Sequence, residues 1–183
     1  ELSPGVQAGV TAMFGAPLTA AQVVERIVTD VRAGGDGKLL YYTNLIDKAG
    51  LSVQNIRVSK AEFAEARQSA DAEVVGAIER AIANVRSFHE EQLPKTWLTN
   101  RECGAMLGQK VTPLNRVGVY VPGGKAVYPS SVLMNIVPAK VAGVPHIVMT
   151  TPPGKDGKVC ASTLVAAREA GADEIYKVGG AQA

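Results

Sequence analysis

The sequence predicts an α/β protein in which a helical N-terminal region leads into a parallel β-α-β-α-β unit. Three observations predict it. Up to His89, apolar residues recur at helical spacing between recognisable caps. After Asn115 the rhythm changes to short apolar runs at 117–121, 147–150 and 175–178, each running into a glycine- or proline-rich loop. Between those runs lie helix-like stretches at 130–142 and 159–170, stopped by Gly143 and Gly171.

In chain order, Thr19-Ala20-Ala21-Gln22 reads as a capping box, in which hydroxyl and amide satisfy free N–H groups at a helix start. Val23, Val24, Ile27, Val28 and Val31 follow at helical spacing until Gly34-Gly35 ends the helix. Asp36 caps a second helix carrying Leu39, Leu40, Tyr42 and Leu45, which stops at Gly50. A brief extended piece near 56–58 leads to a second capping box, Ser59-Lys60-Ala61-Glu62. Asp71 caps what reads as the longest helix, with Val75, Ile78, Ile82, Val85 and Phe88 on one stripe. Beyond Gln92, apolar pairs alternate with polar residues and turn formers, as in short antiparallel strands or extended connectors. Pro113 and Asn115 mark a break, so the organisational boundary falls at 115: a region 1–115 and a second region 116–183.

In the second region, Pro138 should kink the 130–142 helix or start a new one. Short strands joined by helices suit right-handed crossovers and a parallel sheet. The loops after the strands, Pro122-Gly123-Gly124-Lys125, Thr151-Pro152-Pro153-Gly154 and Gly179-Gly180-Ala181-Gln182, then share the carboxyl edge, where open α/β sheets bind ligands. Glycine in each loop lets backbone N–H groups approach an anion.

Composition narrows the function. Hydrophobic residues make up 46% and charged residues 20%, ordinary for a globular protein. Net charge is +2, with basic residues spread along the chain and aromatics at only 5%, so nucleic-acid binding has no support. No apolar run approaches the roughly 20 residues that span a bilayer, and the N-terminus has no signal-peptide pattern. Cys103 and Cys160 have no partner at metal-ligand spacing, and read as unpaired, partly buried thiols in a reducing cytoplasm. His89 reads as an end-of-helix residue favoured by the helix dipole, His146 is distant in sequence, and no hydrolytic triad can be assembled. Glu90 and Glu91, adjacent on a helix, point in different directions and read as solvated surface.

Two nucleotide motifs fail. Counting back from Gly124-Lys125 for a Walker loop reaches Val119 instead of glycine, and Ala126 follows the lysine. Gly123-Gly124 also lacks the partners of a G-x-G-x-x-G fingerprint. Tyr120 lies on the strand face opposite Val119 and Val121, where its ring serves either a ligand or the core. Spacing alone favours Gln182 as a helix cap over a ligand grip, and Lys125 as an ordinary exposed loop lysine.

The run Val117-Gly118-Val119-Tyr120-Val121-Pro122-Gly123-Gly124 resembles the histidinol dehydrogenase family, as do the stretches 128–135 and 138–143 behind it. Val178-Gly179-Gly180-Ala181-Gln182-Ala183 matches again at the right distance, and Phe88-His89 fits the end of the long helix. The resemblance implies an incomplete Rossmann-like unit belonging to an NAD-dependent zinc enzyme. That enzyme oxidises L-histidinol to L-histidine through an aldehyde, in two hydride transfers, as a cytoplasmic homodimer. It also implies that Tyr120 and Gln182 contact NAD. Family members are more than twice as long, by the same resemblance. Their remaining NAD contact (an asparagine), their zinc ligands and their catalytic glutamate–histidine pair fall past residue 183. The chain is therefore expected to be an N-terminal portion, inactive alone. The alternative is a non-catalytic nucleotide-binding or assembly module that kept the fold.

Overall fold

A computed structural model describes residues 2–123 and 127–183. Helix α1 (Pro4–Phe14) opens the chain with proline in its first turn and closes on Gly15, whose φ of 73° is the left-handed conformation that glycine tolerates. The sequence reading missed it, because Gly5 and Gly9 dilute its apolar pattern. Helix α2 (Ala20–Asp47) starts at the Thr19 capping box and leaves helical geometry only at Gly35, where φ is 55° and ψ is −143°. The two helices read from the sequence are therefore two arms meeting at that glycine. Across the break, the Tyr42 hydroxyl donates to Asp30 Oδ2 at 2.5 Å. Burial and the neighbouring carboxylate push the Tyr42 pKa up to about 12, so the donor keeps its proton.

Helix α3 (Lys60–Ser69) begins at the Ser59–Glu62 capping box and α4 (Ala72–Glu90) at Asp71, both as read. The α4 stripe buries Val75, Ile78 and Ile82, but Phe88 at its end is 63% exposed, since the last turn runs past the core. Strands β1 (Trp97–Asn100) and β2 (Met106–Gln109) form an antiparallel hairpin. Trp97, Leu98, Met106 and Leu107 on it are exposed.

Strands β3 (Arg116–Tyr120), β4 (His146–Thr151) and β5 (Glu174–Lys177) make the expected parallel sheet in the order β3-β4-β5. The register sets Tyr120 beside Thr150, and Thr150 beside Tyr176. Connections run through α5 (Pro129–Val141) and α6 (Ala161–Ala170). Helix α5 continues through Pro138 without a second start. The carbonyl that proline cannot bond belongs to Met134, which is exposed, so solvent can serve it. The extended piece near residue 57 bridges antiparallel to Tyr176; Val58 N–H donates to Ile175, and Lys177 N–H to Ile56.

Alternation along the strands decides what the sheet buries. Val119, Ile147, Met149 and Ile175 join residues of α3–α6 in one core cluster. Tyr120, Val148, Thr150 and Tyr176 point to the other side and are only partly buried or exposed. At the base of the sheet, Asp173 accepts from the Ile147 N–H at 2.7 Å and from Lys140 at 3.2 Å, tying the α6–β5 turn to β4 and α5. Among the described residues, no helix is long and apolar enough to cross a membrane.

Candidate functional site

The three loops after β3, β4 and β5 converge on one residue that sequence reading passed over, Pro152. A Cβ added to Gly123 would lie 3.0 Å from the Pro152 ring, and one added to Gly179 would collide with the same proline. The first and third loops thus approach the second closely only because both positions are glycine. Gly124, Lys125 and Ala126 lie outside the described residues, and the reading of Lys125 as an exposed loop lysine lies there with them.

Tyr120 ends β3 on the less covered face and is 47% exposed, whereas Val119 and Val121 beside it are buried. Its hydroxyl accepts a long bond from the Gly180 N–H at 3.4 Å. Tyr120 therefore touches the Gly179–Gln182 loop, and the two candidate residues share one corner of the sheet edge. The ring is left open to a ligand, with its hydroxyl already oriented.

Gln182 sits in a 3-10 turn, Gly180–Gln182, whose N-cap is Gly179. The residue is 2% exposed, yet neither amide atom has a hydrogen-bond partner among the described residues. A buried carboxamide normally uses its two donors and its oxygen, and leaving them unmet costs about 1–3 kcal/mol per group. A polar ligand at this corner would relieve that cost.

Below the edge, on the helix-covered face, lies a cavity of about 420 Å³ lined by Glu62, Thr151, Pro152, Lys158 and Thr163, among others. Lys177, although almost fully buried, is paired with Glu62 at 2.8 Å. Burial works to raise the Glu62 pKa, but Lys177 and the Ser59 cap outweigh it and hold the carboxyl below its usual range. Nothing in the spacing separated Lys177 from an ordinary surface lysine. Cys160, at the start of α6 in the same wall, and Cys103 are both exposed, not partly buried as expected.

The histidines stay away from this corner. His146 begins β4, at the opposite end from Thr151, and contacts Glu174 at 3.4 Å. His89 packs edge-on against Phe88 near the end of α4. Among the described residues, no cluster of three or more His, Cys, Asp or Glu could hold a metal ion. The described residues therefore offer no seat for the zinc that the resemblance implies.

The family model for histidinol dehydrogenase matches residues 16–183. The chain belongs to the histidinol dehydrogenase family. It is 55% identical over 160 residues to the histidinol dehydrogenase of Heliobacterium mobile, covering 87% of this chain and 38% of that protein. It is 51% identical over 162 residues to the histidinol dehydrogenase of Bacillus subtilis, covering 88% of this chain and 38% of the relative. Among solved structures, histidinol dehydrogenase from Elizabethkingia anophelis superposes with a TM-score of 0.84 at 32% identity, over 91% of this chain and 38% of that one. The chain thus spans well under half the length of the histidinol dehydrogenases it matches.

Proposed function

We propose that this chain is the N-terminal portion of an enzyme that oxidises L-histidinol to L-histidine in two NAD-dependent steps. In this reading, region 116–183 begins a Rossmann-like NAD-binding domain, and region 1–115 is part of a first domain. The zinc ligands and the reacting acid–base pair lie in sequence beyond this chain, and the complete enzyme works as a cytoplasmic homodimer. NAD, when bound, takes the hydride. The residues here bind and orient it: Tyr120 offers a half-open ring beside the Gly179–Gln182 loop, and Gln182 offers a carboxamide with unmet hydrogen bonds. Pro152, flanked by Gly123 and Gly179, holds the loops after the strands close together.

One observation carries the reading: Gln182 is buried with both amide atoms unpartnered, in a loop whose neighbour is the half-exposed Tyr120. Its test is NAD titration of the polypeptide as the organism makes it, following nucleotide-dependent fluorescence. Gln182→Ala should weaken NAD about 10-fold or more, and Tyr120→Phe about 3-fold, as expected for one or two lost hydrogen bonds. Unchanged NAD affinity in Gln182→Ala would remove the cofactor role from this corner and favour a module without the chemistry.

A further inference from the structure

Strands β1 and β2 stand apart from the rest of the molecule: they pair with each other and pack substantially on no other helix or strand among the described residues. The register sets Trp97 opposite Gln109 and Thr99 opposite Leu107, while Leu98 lies opposite Gly108 and Asn100 opposite Met106. Side chains alternate along a strand, so Trp97 and Leu107 share one face of the hairpin, and Leu98 and Met106 share the other. All four are exposed, Leu98 at 68%. A two-stranded hairpin is marginal in water unless an apolar face of it packs on something, so this one needs a cover.

Charge indicates what that cover is. Around the hairpin, Lys95, Arg101 and Lys110 stand against the single acid Glu102. Just before it, the exposed Phe88 is followed by Glu90, the last residue of α4, and Glu91, its C-cap. Two carboxylates at a helix C-terminus sit against the helix dipole, and a basic neighbour would relieve them. Glu90, Glu91, Lys95, Arg101 and Lys110 are all exposed and have no ion-pair partner among the described residues, whereas Glu62, Glu65 and Glu79 on α3 and α4 are each paired. Within one chain, an acidic lobe and a basic lobe thus lie side by side, unpaired, with apolar side chains on both. Such a surface fits itself after a two-fold rotation, because each acidic lobe then faces the other copy's basic lobe.

We propose that the β1–β2 hairpin is the arm by which one copy of this chain grips a second copy. The two hairpins and the two α4 ends enclose Trp97, Leu98, Met106, Leu107 and Phe88 of both copies. Lys95, Arg101 and Lys110 of each face Glu90 and Glu91 of the other. An apolar centre with a charged rim is the usual anatomy of a stable interface. The proposal rests on the homodimer reading above and assigns it a surface.

Charge reversal separates contact between copies from contact within one. Two variants of the polypeptide as the organism makes it are needed. Arg101→Glu with Lys110→Glu makes the hairpin acidic, and Glu90→Lys with Glu91→Lys makes the α4 end basic. Each variant alone sets like charge against like across the two-fold, so its dimer Kd should rise about 10-fold or more in sedimentation at low salt. Mixed together, the two variants meet unlike charge at both contacts, and native mass spectrometry should find mixed dimers in large excess over either homodimer. That recovery also shows that both variants fold. Trp97→Ala should weaken the dimer about 30-fold or more, as loss of a central aromatic does. Variants as dimeric as the parent, or a mixture with no preference for mixed dimers, would overturn the proposal and leave the homodimer to another surface. A parent protein that stays monomeric at every concentration would overturn both.

Discussion

On one face of the parallel sheet, Val119, Ile147, Met149 and Ile175 are closed off with residues of α5 and α6. On the other, Tyr120 is nearly half exposed, with Thr150 and Tyr176 beside it in register. Parallel sheets are ordinarily covered on both faces, and on this second face Leu39 and Leu40 of α2 share a cavity wall with Thr150 and Tyr176. The covered face carries aliphatic side chains and the partly buried Lys177–Glu62 ion pair, which hold the fold. The less covered face carries ring hydroxyls and, at the carboxyl edge, the turn that meets α2, the corner proposed above for the cofactor.

That division can be broken first by cutting a hole in the covered face. Met149 is fully buried, and Met149→Ala should cost about 2–5 kcal/mol. Val148, its neighbour on the other face, should lose under about 1 kcal/mol on the same change. Denaturant unfolding of the two variants checks this, and equal losses would show that the faces are not distinct.

The Lys177–Glu62 pair sharpens it next. Lys177→Met strands Glu62, which is about a quarter exposed, so the loss should be about 2–3 kcal/mol, less than for a fully buried pair. Because Lys177 helps hold the Glu62 pKa below its ordinary 4.5, the variant should also bring that pKa upward. The native pair is complete above the ordinary value and is lost as pH falls through the lowered one. A melt series from about pH 6 to about pH 3, which spans the usual carboxylate range, should therefore show a shallower acid slope in Lys177→Met.

Asp173 gives the smallest effect. Burial opposes its ionisation, but the Ile147 N–H and Lys140 hold its pKa below the ordinary 3.8. Its contribution is complete above that value and disappears as pH drops through the lowered one. Asp173→Asn should cost about 1 kcal/mol at neutral pH, allowing for solvent screening of a partly exposed group, and nothing in strong acid. The pH dependence of unfolding free energy checks it; a loss unchanged in acid would assign the effect to packing.

Much of the fold was legible because its signals are local. Both capping boxes, the Asp71 cap and the three strands need only neighbouring residues. Of the candidate site, Tyr120 and Gln182 stood out through their motifs, and the fold brings their loops into contact. What stayed hidden depends on packing between distant segments. Pro152 matters through two glycines that approach it from other loops. Lys177 matters because Glu62, far back in the chain, reaches it. Thr43, on a helix that reads as solvent-facing at that position, is fully buried. Phe88 erred the other way, continuing a stripe beyond the surface that the stripe covers.

The break at Gly35 turns the second arm of α2 into a lever. Across the break, the arm is tied back to the first by the Tyr42–Asp30 bond. Tyr42 sits about 10 Å out from Gly35 at about 1.5 Å per residue, so the one hydrogen bond grips the arm well along its length rather than at its hinge.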